Sequence, residues 1–322
     1  MAVDIITVGE MLIDFVPLKK GLSSKENEGF LRMPGGAPAN VAVGIARLGL
    51  SSAFLGKVGR DPFGGLLIET LEDNGVETKA IIQTDEAKTT LAFVTLDETG
   101  DRDFTFYRDP GADMLYQWEE VDLELFKTAK IFHHGSISLI NQPVRDTTLK
   151  MAQLAKNMGI LVSYDPNLRR PLWSDVRTAK QWIIAGLKTA DLVKLSEEEL
   201  EFITDEKEIN LGAKKIMAHG PKLIFVTLGA KGSYFYDGKN SKIVPGFKVK
   251  VQDTTGAGDG FVAGVLFQLI KNNVSNLNLL SESMLENMAL FANAVGALTT
   301  KGKGAISSLP NLDSVNQLLK SK

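Results

Sequence analysis

A chain of 322 residues, 44% hydrophobic and 23% charged, has the makeup of an ordinary globular protein and is long enough for a large core. With 36 basic against 39 acidic residues and a net charge of -3, it carries no basic field for nucleic acid or an anionic membrane, and neither is expected as a partner. The lack of cysteine excludes disulfides and thiolate metal sites, and three histidines do not favour a histidine-rich metal centre.

No apolar run approaches the roughly 20 residues that span a bilayer, and no basic, apolar leader precedes Val3, so a cytoplasmic protein is expected. Ile5-Ile6-Thr7-Val8-Gly9 reads as a buried first strand that Glu10-Met11-Leu12-Ile13-Asp14-Phe15-Val16 continues. Asp14 sits among apolar residues, a costly place for a charge unless it caps a turn or meets a polar ligand. Residues 17–33 read as a polar loop.

Pro34-Gly35-Gly36-Ala37-Pro38-Ala39-Asn40 then leads into a helical pattern through Val41, Ala42, Ile45, Ala46 and Leu48, with Gly49 as the stop. Paired glycines at a helix start make a tight turn or let a ligand come close to the backbone. Lys57 to Gly64 reads as a strand end and helix start that shape the core.

From 89 to 108 the chain changes texture. Thr90-Leu91-Ala92-Phe93-Val94-Thr95-Leu96 and Arg102-Asp103-Phe104-Thr105-Phe106-Tyr107-Arg108 are β-rich runs joined by the turn Asp97 to Asp101, and together they read as a hairpin. A hairpin inserted in a chain of alternating strands and helices is a candidate lid. Arg108 reads either as solvated surface or as a guanidinium offered to ligand oxygens.

Strands at Ile131 to Ser136 and Ile160 to Asp165 flank a helix over 144–158 that Gly159 stops. The second strand ends in Asp165-Pro166-Asn167-Leu168-Arg169, an Asx-Pro turn or a polar shell at the edge where open α/β sheets bind ligands. His133 and His134 read as structural. After a helix over 174–187 and a strand from Ala190 to Leu195, Ser196 and Glu199 have the spacing of a capping box. Lys222 to Ser233 is a buried strand running into the glycines 229 and 232, and Ser233 to Gly238 is β-like.

Phe247-Lys248-Val249-Lys250-Val251 alternates like a half-buried strand, and helical spacing returns at Phe261, Val262, Val265, Leu266, Leu269 and Ile270. Between them lies Asp253-Thr254-Thr255-Gly256-Ala257-Gly258-Asp259-Gly260-Phe261, a glycine turn at a helix N-terminus. Its N–H groups over Gly256, Ala257 and Gly258 and the helix dipole suit an anion. Asp259 within that turn is either a helix cap or a base that takes a proton from a hydroxyl attacking phosphorus. Neither G-x-x-x-x-G-K-[S/T] nor G-x-G-x-x-G occurs. An alanine-rich helix over 284–300 contains Asn293, followed by Lys301 to Ala305.

The stretch from Asp253 to Phe261 resembles the C-terminal signature of the ribokinase-like, phosphofructokinase-B-type family of sugar and nucleoside kinases, and Pro34 to Asn40 resembles its N-terminal one. The resemblance implies an α/β fold, a mostly parallel central sheet with helices on both faces plus a small β-sheet lid. The core would take residues 1–10, 34–86 and 114–322, and the lid 11–33 and 87–113. It implies Asp259 as base beside an anion hole of Gly256, Ala257 and Gly258. Sugar contacts would fall to Asp14, Gly35, Gly36, Asn40, Phe106, Arg108, Asp165, Asn167 and Arg169.

ATP contacts would fall to Lys194, Thr227, Gly229, Gly232, Thr254 and Asn293. Magnesium would be held through water by Glu199, although Ser196 stands where many members have Asn, and potassium would lie near Asp253 and Thr255. The lid would pair with its twin in a homodimer. Phe106 to Leu115 resembles the plant and bacterial fructokinases within the family, which implies D-fructose as acceptor. The competing readings are a 2-keto-3-deoxygluconate, ribose or nucleoside kinase, and a catalytically silent sugar sensor.

Overall fold

Ile5, Ile6 and Val8 are all buried, with Ile5 in one apolar cluster and Ile6 and Val8 in another. A strand covered on both faces needs helices on each side, and β1 (Ile5–Val8) has them. The computed structural model describes residues 2–19, 29–96 and 102–321, so part of the 17–33 stretch and the hairpin turn expected at Asp97 to Asp101 lie outside the described residues.

Among the described residues, the main sheet has the order β13-β12-β11-β10-β9-β8-β1-β4-β5. Its further members are β4 (Ser52–Gly59), β5 (Ile81–Thr84), β8 (Ile131–His134), β9 (Leu161–Tyr164), β10 (Leu192–Ser196), β11 (Leu223–Thr227), β12 (Gly232–Tyr236) and β13 (Ser241–Pro245). Every pairing from β5 to β11 is parallel, and β12 and β13 close that edge antiparallel. The C-terminal ends of β1, β8, β9, β10 and β11 therefore open on one side of the sheet.

The smaller sheet, in the order β3-β2-β6-β7, comprises β2 (Leu12–Pro17), β3 (Phe30–Gly35), β6 (Leu91–Leu96) and β7 (Arg102–Tyr107). Two sequence expectations change here. Glu10 to Val16 does not prolong β1: the chain breaks at Gly9, whose φ of 149° leaves the strand, and crosses to the other sheet. The end of the expected 17–33 loop is instead β3, paired with β2. Cross-strand register puts Asp14, Ala92 and Phe106 in one row and Val94 opposite Phe104, so their side chains share one face.

The helices are α1 (Ala37–Arg47), α2 (Pro62–Asp73), α3 (Val144–Asn157), α4 (Val176–Thr189), α5 (Glu197–Thr204), α6 (Ile209–Met217), α7 (Ala257–Lys271), α8 (Glu282–Thr299), α9 (Ala305–Ser308) and α10 (Leu312–Lys320). Alternate residues of β11 divide between the two sides: Leu223 and Phe225 meet α7 and α8, whereas Ile224 and Val226 meet α4 and α6. No described helix is long and apolar enough to cross a membrane.

A third expectation also changes. Phe247 to Val251 is not a strand, for β13 ends at Pro245 and the chain runs as an irregular connection into α7. The alternation is real, with Phe247 and Val249 half-buried between exposed lysines. Among the described residues no strand is laddered to it.

Candidate active site

The turn before α7 is built on glycine. Gly256 caps the helix at φ 77°, and a Cβ there would stand 2.5 Å from that of Ala305. Among the described residues, the N–H of Ala257 is already donated to the Thr254 carbonyl at 3.2 Å, and those of Gly256 and Gly258 have no such acceptor. Asp253 ties the turn down: its Oδ1 accepts from Thr255 N at 2.9 Å, and its Oδ2 from Gly304 N at 2.9 Å.

Asp259 follows in the first turn of α7 and is buried. It does not cap the helix. Its Oδ2 accepts from Nδ2 of Asn40 at 2.7 Å and its Oδ1 from Nδ2 of Asn167 at 3.0 Å. Burial raises its pKa above the ordinary carboxylate value, against the two amides and the nearby cations Lys194 and Arg169, which draw it down. A carboxylate held by amides keeps lone pairs for an incoming hydroxyl.

Behind it stands a compact set of charges. Lys194 reaches from β10 to Oδ2 of Asp165 at 3.0 Å, both side chains nearly buried. Burial, opposed by Lys194 and helped by Glu199 and Asp259, pushes Asp165 above the ordinary carboxylate value. Burial would lower Lys194, but Asp165 and Glu199 raise it above the usual lysine value, so it stays charged. Glu199 accepts from Leu168 N at 2.7 Å and from Ser196 N at 2.8 Å, and the Ser196 hydroxyl accepts from Glu199 N at 3.1 Å. The expected capping box is present.

A cavity of about 770 Å³ opens over these groups. Asp14, Gly36, Asn40, Phe106, Asn167, Arg169, Lys194, Glu199, Thr227, Thr254, Gly256, Gly258 and Asp259 line it. A second cavity of about 460 Å³ is bordered by Thr227, Gly229, Gly232, Thr254, Ala257, Gly258 and Asn293. Thr227, Thr254 and Gly258 belong to both, so the turn separates two adjoining chambers. Such a partition can hold two reactants with their reacting ends together.

Three expected site residues, Asp165, Gly35 and Arg108, stand off the cavity walls. Asp165 is behind the wall, its Oδ1 accepting from Asn167 N at 3.1 Å, so the Asx turn is formed. Gly35 lies beneath Asp14, where a Cβ would be 2.6 Å from Oδ2 of that residue. Arg108 is neither solvated nor on the cavity wall: its Nε donates to Asp113 Oδ2 at 2.8 Å, with both side chains under 5% exposed. Asn293 lines its chamber while its Nδ2 donates to Val244 O at 3.0 Å.

Glu10 and Phe104 are among the lining residues that the sequence reading did not mark as site residues. Glu10 is buried, and its Oε1 accepts from Ala37 N at 3.0 Å at the start of α1. Burial pushes it up to about 7. The reasoning that singled out Asp14, a carboxylate beside apolar residues, applies equally to Glu10.

Among the described residues no group of three acidic or histidine side chains could hold a metal ion. Asp165, Glu199 and Asp259 nevertheless surround one lysine, an excess of negative charge that fits a hydrated cation carried in on phosphates.

The family model for pfkB family carbohydrate kinases matches residues 3–312. A probable fructokinase-6 (chloroplastic) of Arabidopsis thaliana is 49% identical over 318 residues, covering 98% of this chain and 82% of that one. The solved fructokinase of Xylella fastidiosa with bound ATP superposes with a TM-score of 0.91 at 35% identity, covering 99% of this chain and 98% of that one. A fructokinase double mutant from Vibrio cholerae O395, in a form with fructose, ADP and potassium ion bound, gives 0.88 at 37% identity, covering 99% of each chain.

Proposed function

Because the chain belongs to the pfkB family of carbohydrate kinases, we propose that it transfers the γ-phosphoryl group of ATP to the terminal hydroxyl of D-fructose, giving ADP and D-fructose 6-phosphate. The observation that carries the reading is the place of Asp259, in the helix N-terminal turn between two chambers with an amide on each carboxylate oxygen. The acceptor is fructose because the relatives named above are fructokinases.

Asp259 takes the hydroxyl proton as the sugar oxygen bonds to the γ-phosphorus and the bond from phosphorus to the ADP oxygen breaks. The N–H groups of Gly256 and Gly258, with Ala257 once it releases Thr254, face the charge that moves over the phosphoryl oxygens. Lys194 and Arg169 add positive charge to the same wall.

Asp14, Gly36, Asn40, Asn167 and Phe106 face the sugar, supported from behind by Gly35, Asp165 and the Arg108 pair. ATP lies along Thr227, Gly229, Gly232 and Thr254, with Asn293 on its far wall. A magnesium ion, held by the phosphates and through water by Glu199, would neutralise phosphate charge when bound. Potassium would sit by Asp253 and Thr255, where Asp253 joins the turn to Gly304.

The face of the small sheet turned away from Asp14 exposes Phe30 and Tyr107, which favours pairing with a second copy. Sedimentation at several concentrations tests that. The compartment we assign is the cytoplasm, tested by fractionation of cells producing the chain.

ADP release from Mg-ATP with fructose, ribose, 2-keto-3-deoxygluconate and adenosine, each separately, tests the acceptor. Fructose should give the highest kcat/KM. Preference for another acceptor would overturn the choice of sugar, and sugar binding without turnover of any acceptor would overturn the kinase.

A further inference from the structure

The small sheet touches the core where the ring of Phe104, on β7, lies against the guanidinium of Arg169, with Cζ 5.6 Å from the ring centroid. This is within the range of a cation–π contact. Both side chains line the larger cavity. Phe104 is backed by Phe106, the two rings stacked at 5.9 Å, so the platform is itself held.

Arg169 lies two residues beyond Asn167, whose amide holds Oδ1 of Asp259. Its Nη1 reaches the Asn167 and Leu168 carbonyls only at 3.4 Å, long for hydrogen bonds. A long, half-buried side chain with such loose anchors takes its direction from the ring it lies on.

We infer that Phe104 is a positioning residue for phosphoryl transfer: its ring holds Arg169 on the cavity wall, so that the seat of the lid sets the cation facing Asp259. The inference rests on Asp259 being the base. Arg169 favours the ionised form of that carboxylate, as do Lys194 from β10, Asn40 from α1 and Asn167 from the loop after β9, while Asp165 opposes it. Of these groups, Arg169 is the one in contact with the lid ring. When the ring is lost or the lid lifts, Arg169 moves off, and Asp259 takes up its proton at a higher pH.

The test is the pH dependence of kcat/KM for fructose, with Mg-ATP saturating, in the full chain and in Phe104→Leu, Phe104→Tyr, Arg169→Gln and the double variant Phe104→Leu/Arg169→Gln. Leucine keeps apolar bulk without the aromatic face. The acid limb should move to higher pH in Phe104→Leu, with kcat/KM near pH 6 down about two- to fivefold, the size of a cation–π contact. Phe104→Tyr should restore the wild-type limb.

In the Arg169→Gln background, Phe104→Leu should add nothing further. A Phe104→Leu profile that superposes on wild type, or an effect that adds in full to that of Arg169→Gln, would overturn the inference. Failure of the underlying reading shows separately, as near-normal turnover in Asp259→Asn.

Discussion

Asn40 donates from Nδ2 to Oδ2 of Asp259 at 2.7 Å, joining the starts of α1 and α7 across 219 residues of chain. The contact is prepared one turn further along each helix, where a Cβ on Gly44 would stand 2.7 Å from that of Ala263. Asn40 and Gly44 share a face of α1, as Asp259 and Ala263 share a face of α7. The close approach of the two helices thus sets the bond at the catalytic end.

Replacing Asn40 with Ala removes a donor that favours ionised Asp259. The folded-state pKa of the base then rises, so activity that needs the carboxylate is lost over a window extending to higher pH than in the wild type. At pH 6, kcat/KM for fructose should fall about tenfold or more, as for a lost hydrogen bond to a charged group, and should recover in part at pH 8. A uniform loss at every pH would contradict this role.

Glu10 makes a stability prediction with the opposite sense to a salt-bridged acid. Its pKa is about 7 in the fold against an ordinary 4.5, because burial disfavours its charge. Below 4.5 both folded and unfolded chains carry the proton. Between 4.5 and 7 the folded chain retains a proton that the unfolded one has lost, so this group costs stability as pH rises, fully so above 7. Glu10→Gln keeps a carbonyl for Ala37 N and should therefore gain on wild type by on the order of 2–3 kcal/mol between pH 4.5 and pH 8. Urea unfolding at both ends of the range measures it, and a pH-independent difference would refute it.

Arg108 and Asp113 form a pair whose side chains are 4% and 3% exposed. Asp113→Ala leaves the guanidinium buried without its partner and deprives the Thr90 hydroxyl of its acceptor. Urea unfolding should show a loss of about 3–5 kcal/mol. Replacing both members by apolar residues of similar volume should recover most of it, and a loss under about 1 kcal/mol in Asp113→Ala would mean that water reaches the site.

What the sequence disclosed follows from the range of the forces involved. The turn before α7 was legible because Gly256 and Gly258 act through the backbone within a few residues, and the capping box at Ser196 and Glu199 was legible because it too is local. Alternation over Phe247 to Val251 misled because period-two burial reports on side chains, whereas a strand also needs a partner. β13 was missed because it lies at the sheet edge with Lys242 and Ile243 exposed, leaving little pattern to see.

The site itself was legible in its parts and not in its assembly. Asn40, Asn167 and Asp259 were each marked through resemblance, but their mutual hydrogen bonds depend on helix packing that no local pattern encodes. Arg108 looked like surface or ligand because a lone sequence does not show Asp113 folding back on it. Phe104 was hidden in a β-rich run, where aromatic residues are ordinary.

Fructose-dependent ADP release by Asp259→Asn, set beside the wild type under saturating Mg-ATP, tests the central claim most directly. The account predicts kcat lowered by roughly 10²- to 10⁴-fold, as for loss of a general base, with fructose still bound and the urea midpoint little changed. Turnover within a few-fold of wild type in a folded, fructose-binding Asp259→Asn chain would contradict it, and the proton would have to leave by another route.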